Sequence, residues 1–280
     1  MTEPRSSIHR LLSARWPRVA LDLGWYLSFG VFFTLLLLRA PSGAISGGIG
    51  GAVKLSLVEG VQRQALYRDG QRLGLIFCRV EQRARGWRVL HRFVLGQHEA
   101  GQTRIDLRRD LSLDRLSLDL DMTRMGQLSG LPGVLRAGLR ELRRIRVDGR
   151  CSAETGDCEV RGKVGPHVLQ QTISAGRGPV VTSAIYPLLA QGSLGRRVEV
   201  RIFDPLSLGQ RLVTFQVEGR ERLRLHSGTF EAIRISRDLE ALTSRVWIDA
   251  QGRVLKEELP LGMVVEHEAW TESAAEANGR

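Results

Sequence analysis

The sequence predicts a mainly β protein: a large antiparallel sheet with one or two packing helices, preceded by an N-terminal transmembrane helix. Three observations carry that prediction. Apolar and polar residues alternate strictly over much of the chain, as in Leu116, Leu118, Leu120 and Met122 against Ser117, Asp119 and Asp121. A period of two marks a strand with one face buried and one wet. Turn pairs such as Asp69-Gly70 punctuate these runs, as in a chain of antiparallel strands. The stretch Val19–Leu38, VALDLGWYLSFGVFFTLLLL, holds 20 residues with Asp22 as its one charge. At the helical rise this is roughly 30 Å, the thickness of a bilayer's hydrocarbon core.

That stretch divides the chain into a cytoplasmic basic tail (residues 1–18), a transmembrane helix (19–39), a Gly/Ser-rich tether (40–52), an extracytoplasmic β domain (53–270) and a flexible tail (271–280). Arg5, Arg10, Arg15 and Arg18 precede the span and only Arg39 lies close behind it. The positive-inside rule then leaves the N-terminus in the cytoplasm and the body outside. Trp16, Trp25 and Tyr26 are placed to anchor at the interface. The competing reading is a signal peptide cleaved at Ser42-Gly43-Ala44. The uncharged run Leu23–Leu38, at 16 residues, is just past the usual apolar region of a signal peptide, and the leading tail is long. Both favour a retained anchor, and both readings export the body.

The chain carries 41 basic and 30 acidic residues, a net charge of +11; five arginines and two carboxylates fall in residues 1–39, leaving the body at +8. Such a body could attract anionic lipid, envelope polymer or nucleic acid. Its charges are dispersed along the sequence, which favours solvated strand faces. Nucleic acid is not expected, since the body is exported and lacks interleaved aromatic and basic residues. Cys151 and Cys158 bracket the turn-like SAETGD, so a disulfide there would clip a hairpin. Closing so small a loop is worth about 2.5 kcal/mol on the chain-entropy model, and the bond persists only outside a reducing cytosol. The alternatives are two unpaired thiols or half of a metal site. Cys78, in LGLIFCRV, reads as a small packing residue.

In chain order, Val53–Glu59, Val61–Tyr67, Arg72–Glu81 and Trp87–Leu95 read as strands, with a turn at His98-Glu99. Leu128, Leu131, Leu135, Leu139, Leu142 and Ile145 recur at three and four, so Leu128–Ile145 reads as an amphipathic helix covering an open sheet face. Strands resume at Arg146–Cys151, Cys158–Val164 and His167–Ile173, and Val180–Ala190 reads as a short apolar helix. The last ninety residues alternate most cleanly, with turns at Asp204-Pro205, Glu218-Gly219, His226–Gly228 and Ala250–Gly252.

Tyr67–Gly74 (YRDGQRLG), Phe203-Asp204-Pro205, Val217–Glu221 (VEGRE), Phe230–Ile233 (FEAI), Val246–Leu255 (VWIDAQGRVL) and Lys256–Gly262 (KEELPLG) stand in an order that resembles a family of exported bacterial β domains of unknown function. Members of that family stand alone or precede transglutaminase-like domains, and they are distantly similar to periplasmic lipoprotein-carrier half-barrels. The resemblance spans roughly Val53 to Glu268. It implies a long curved antiparallel sheet, a half-barrel, wrapped around apolar or helical contents, and a body outside the bacterial inner membrane. A transglutaminase-like domain would begin where this chain stops, so its Cys-His-Asp catalysis is not expected here.

No catalytic constellation stands out. His9, His91, His98, His167, His226 and His267 form no His-Glu-x-x-His, and there is no Cys-x-x-Cys or Gly-x-Ser-x-Gly. Glu266-His267-Glu268 reads as a solvated edge, and Asp204 and Asp249 as turn carboxylates bonding nearby amides. Neither cofactor nor metal is expected, and neither is an enzyme. A cell-wall or lipid-modifying hydrolase is a less favoured reading, for want of any such constellation, and two function classes stand ahead of it. The first is a membrane-anchored binding module holding a lipid or other apolar ligand against Leu116, Leu118, Leu120, Phe215, Val217 and Trp247. The second is an accessory subunit of an envelope complex, with Asp22, costly within a bilayer, as the contact to its partner.

Overall fold

The computed structural model describes residues 57–125, 142–175, 185–204, 209–239, 242–259 and 262–271. Val19–Leu38 and Asp22 lie outside them; among the described residues no helix is long and apolar enough to cross a membrane.

Fourteen strands form one open antiparallel sheet. They are β1 (Gly60–Arg68), β2 (Gln71–Arg83), β3 (Gly86–Leu95), β4 (His98–Arg108), β5 (Leu113–Asp121), β6 (Arg144–Cys151), β7 (Asp157–Val164), β8 (His167–Ser174), β9 (Arg197–Asp204), β10 (Gly209–Leu225), β11 (Gly228–Leu239), β12 (Leu242–Ile248), β13 (Val254–Leu259) and β14 (Met263–Thr271). The spatial order is β8-β7-β6-β5-β4-β3-β2-β1-β14-β13-β12-β11-β10-β9. Two meanders, β1–β8 and β9–β14, therefore join where the first strand pairs with the last, Leu66 opposite Val265. Each hairpin follows from local chemistry. Asp69 and Gly70 have φ of 49° and 76°, the left-handed pair that a two-residue hairpin turn demands.

The sheet curls. Bulges interrupt the ladders at Arg63/Gln64, Phe93/Val94, Asp106/Leu107, Val217/Gly219 and Trp247/Ile248, and each bends its strand. As a result β8 comes within 8 Å of β10 between Cα atoms, although they lie near opposite ends of the strand order. Inner side chains of both meanders, among them Phe93, Leu118, Val147, Phe215, Ile235 and Val265, share one apolar cluster.

Several expectations are corrected. Glu218-Gly219 is not a turn: β10 runs through it, and both halves stay paired with β11 because the extra residue is absorbed as a bulge. Arg144 and Ile145 belong to β6, not to a helix, since they pair with Asp121 and Leu120; residues 126–141 of that expected helix lie outside the described residues. His98 and Glu99 open β4, paired with Leu95 and Val94, and the turn precedes them. Leu57, Val58 and Glu59 form no strand. Glu266–Glu268 sit on β14, flanked by β1 and β13, and not at a sheet edge.

Two short helices complete the described fold. Helix α1 (Met122–Met125) is a single turn, capped where the Asp121 carboxylate accepts the Thr123 and Arg124 amides. Helix α2 (Ile185–Ala190) buries every side chain but Pro187. It is the described end of the expected Val180–Ala190 helix. Pro187 seats against Gly252, where a Cβ would meet the proline nitrogen at 2.3 Å, so glycine is needed at that contact.

Candidate functional site

The inside of the curl is the first candidate. Leu116, Leu118 and Leu120 point inward from β5, Phe215 joins them from β10, and Val217 packs against the same cluster. Tyr186 of α2 meets Phe215 edge-on, ring centroids 6.1 Å apart. Each such buried apolar side chain contributes about 1.5–3 kcal/mol. Trp247 is not among them. Val246 and Ile248 take the inner positions on β12, and Trp247 lies in a separate apolar cluster with Leu225, Ala232 and Leu255. There its indole nitrogen donates to Glu221, and Lys256 sits 4.7 Å over the ring. The strand period of two separates Trp247 from its neighbours.

Polar groups interrupt the interior. Arg237 follows Ile233 and Ile235 in phase on β11 and is 1% exposed, as is Glu257 on β13, with 2.5 Å between Nη2 and the Glu257 carboxylate. Its Nε donates to Ser244. Burial alone would lower the guanidinium's pKa, but the Glu257 charge and the neighbouring Tyr186 hydroxyl raise it above its ordinary value, so Arg237 stays a cation. His91 and Thr103 face each other across β3 and β4 at 3.1 Å. His267 lies 3.4 Å from the Gln62 side-chain amide, and its pKa is lowered by burial and then by the Arg253 charge, against the opposing pull of Asp249 and Glu268.

The remaining residues singled out in the sequence are placed as follows. Cys151 and Cys158 are bonded directly across the β6–β7 ladder, 3.9 Å apart at Cα. Cys78 is half-buried against the main cluster. Asp249 accepts the Gln251 and Arg253 amides at its turn. Glu266 bonds His226 at 2.7 Å, and Glu268 binds Arg63 and Arg72. Among the described residues no group of three or more His, Cys, Asp or Glu is placed to hold a metal ion.

The second candidate is on the outer face, and the linear sequence hid it. Arg83, Arg85 and Arg88 of one hairpin and Arg104 and Arg115 of the next all line a hollow of about 730 Å³ at the β2–β3 and β4–β5 turns. The β4–β5 turn is held in a demanding conformation: Leu111 has φ of 64°, which costs about 1–2 kcal/mol for a residue with a Cβ. Burying its side chain in the main cluster offsets that cost. Asp110 accepts the Ser112 amide and hydroxyl, and Arg109 donates to the Ala84 carbonyl of the neighbouring turn at 2.9 Å. Arg88 and Arg104 both bind Asp106. Burial would raise that carboxyl, but the two arginines hold it below the usual carboxylate range.

No family model matches the chain, and no curated protein matches it by sequence. Solved structures do. A β-barrel-like protein of a domain of unknown function from Brucella abortus aligns with a TM-score of 0.46 at 10% identity, covering 78% of this chain and 98% of that one. A protein with a YmcC-like fold from Bacteroides fragilis aligns with a TM-score of 0.31 at 10% identity, covering 83% of this chain and 99% of that one.

Proposed function

We propose that this protein is a membrane-anchored extracytoplasmic binding module that holds an acyl chain or similar apolar ligand inside its curled sheet. The span Val19–Leu38 would keep it in a bacterial inner membrane, N-terminus inside and body outside. The observation that supports this reading is the shared inner cluster. Leu116, Leu118 and Leu120 from one meander and Phe215 from the other are buried in a single apolar cluster, and apolar linings of this kind are where proteins hold apolar ligands. Native mass spectrometry of the full chain, extracted in mild detergent, tests it. One co-purifying lipid per chain is the expected result, and a clean apo mass after gentle extraction overturns it.

An accessory-subunit role is the second reading, favoured by β8. It ends the strand order, its outer edge carries no strand among the described residues, and its Val168 is 76% exposed. Such an edge can accept a partner's strand. On this reading Asp22→Leu abolishes co-purification of a membrane partner; unchanged co-purification removes Asp22 as the contact.

A further inference from the structure

We propose that the arginine-lined hollow binds the phosphate-bearing headgroup of an anionic lipid. Seven arginines line it against three aspartates. Several are already neutralised: Arg88 and Arg104 share Asp106, and Arg108 binds Asp114. Arg85 and Arg115 line the same space with no ion pair among the described residues. The row that crosses the outer face through Arg115 sharpens the point. Arg88 opposes Asp106 and Asp106 opposes Arg115, each with alternating sign, but Arg115 then opposes Arg150 directly. Like charges facing each other across a ladder are unfavourable, and an anion between them removes the repulsion. A second hollow, lined by Arg115, Arg150 and Arg161 with Asp148 and Glu159, continues the first along that row, where Glu159 opposes Arg150 from the far side.

Phosphate suits the donors present, because planar guanidinium groups fork onto phosphate oxygens. A lipid source, as against free phosphate, is favoured by the rest of the lining. Trp87 and Leu107 wall the same hollow, and both pack with the inner apolar cluster. The hollow therefore passes from exposed arginines to the edge of the apolar interior, a gradient that fits a headgroup with its glycerol and first methylenes. The rigid β4–β5 turn, with Leu111 buried and Arg109 bonded to Ala84, sets the arginines before any ligand arrives.

The inference deepens the binding-module reading and rests on it for the lipid source. Its test is calorimetric titration of the full chain in neutral detergent, with short-chain dihexanoyl phosphatidic acid, inorganic phosphate and dihexanoyl phosphatidylcholine as separate probes. Phosphatidic acid should bind at one per chain, at least tenfold tighter than either other probe. The affinity should fall with added salt. The R85Q/R115Q double variant should lose about tenfold in affinity; it breaks no ion pair among the described residues, and an unchanged melting temperature confirms that it folds. Equal binding of phosphate and phosphatidic acid overturns the lipid assignment. Undiminished binding by the double variant, or no binding at all, shows that the arginines are only a solvated face. A clean apo mass alongside arginine-dependent phosphatidic acid binding would sink the acyl-cargo reading and leave the headgroup site standing.

Discussion

At the scale of single residues, the inner face is decided by which polar groups it keeps. Arg237 and Glu257 neutralise each other's charge in a place where neither could stand alone, although the Arg237 Nη1 is buried without a hydrogen-bond partner among the described residues. Glu257→Ala should cost about 3–5 kcal/mol in urea unfolding, because it strands a buried cation, whereas replacing both by Met and Leu should be neutral or stabilising. A loss below about 1 kcal/mol for the single variant would show the site to be hydrated. His267 gives the molecule a pH dependence. Its folded pKa lies below the ordinary value of 6.5, so the unfolded state binds the proton more readily. Stability is therefore complete above pH 6.5 and declines as the pH falls through it. His267→Gln should flatten the unfolding midpoint between pH 7.5 and 5.5; an unaltered slope would assign the dependence to other groups. Both residues carried a partial signal in the sequence. Arg237 sits in phase with Ile233 and Ile235, and His267 in phase with Met263 and Val265, yet the flanking Glu266 and Glu268 make His267 read as part of a solvated edge. What period-two counting could not supply was the partner, since Glu257 reaches Arg237 across an intervening strand.

At the scale of elements, β10 shows where alternation misleads. Val213, Phe215, Val217, Leu223 and Leu225 are all odd-numbered, so an unbroken strand would face them one way. The bulge after Val217 reverses the phase: Val213 and Phe215 serve the inner cluster, Leu223 and Leu225 the outer one. Deleting Glu218 removes the extra residue and forces one set onto the wrong face. The expected loss is about 3 kcal/mol or more, the burial of two leucines. Glu218→Ala, which removes only a half-exposed ion pair with Arg234, should cost under about 1 kcal/mol. Equal melting temperatures for the two variants would mean that the bulge does not set the register. Strand identity was thus legible wherever polar and apolar residues alternate, as on β5, β6 and β12. A bulge and a turn share the same Glu-Gly signature, and only the continued pairing on both sides tells them apart. The outer hollow was illegible for a different reason. Its arginines come from two successive hairpins, β2–β3 and β4–β5 with their turns, and only the pairing of β3 with β4 brings the two turns together.

At the scale of the whole molecule, everything turns on the joint between β1 and β14. Residues about two hundred positions apart in sequence pair there, and that single ladder makes two meanders into one sheet with one inner cluster. Such non-local closure is entropically costly and slow to form, but once formed it couples the halves, because neither meander can bury its inner face without the other. Variants retaining Trp87 or Trp247 as the sole tryptophan of the chain report on the first and second meander separately. Their fluorescence midpoints in urea should coincide, as expected for one cooperative unit. Val265→Ala removes two buried methyl groups at the joint, opposite Leu66, and should lower both midpoints together, by about 1–3 kcal/mol on the scale of core truncations. If instead only the Trp247 midpoint moved, β9–β14 would be folding on its own. The enclosed interior proposed to hold a ligand would then be an interface between two independent sheets, open to water whenever they part.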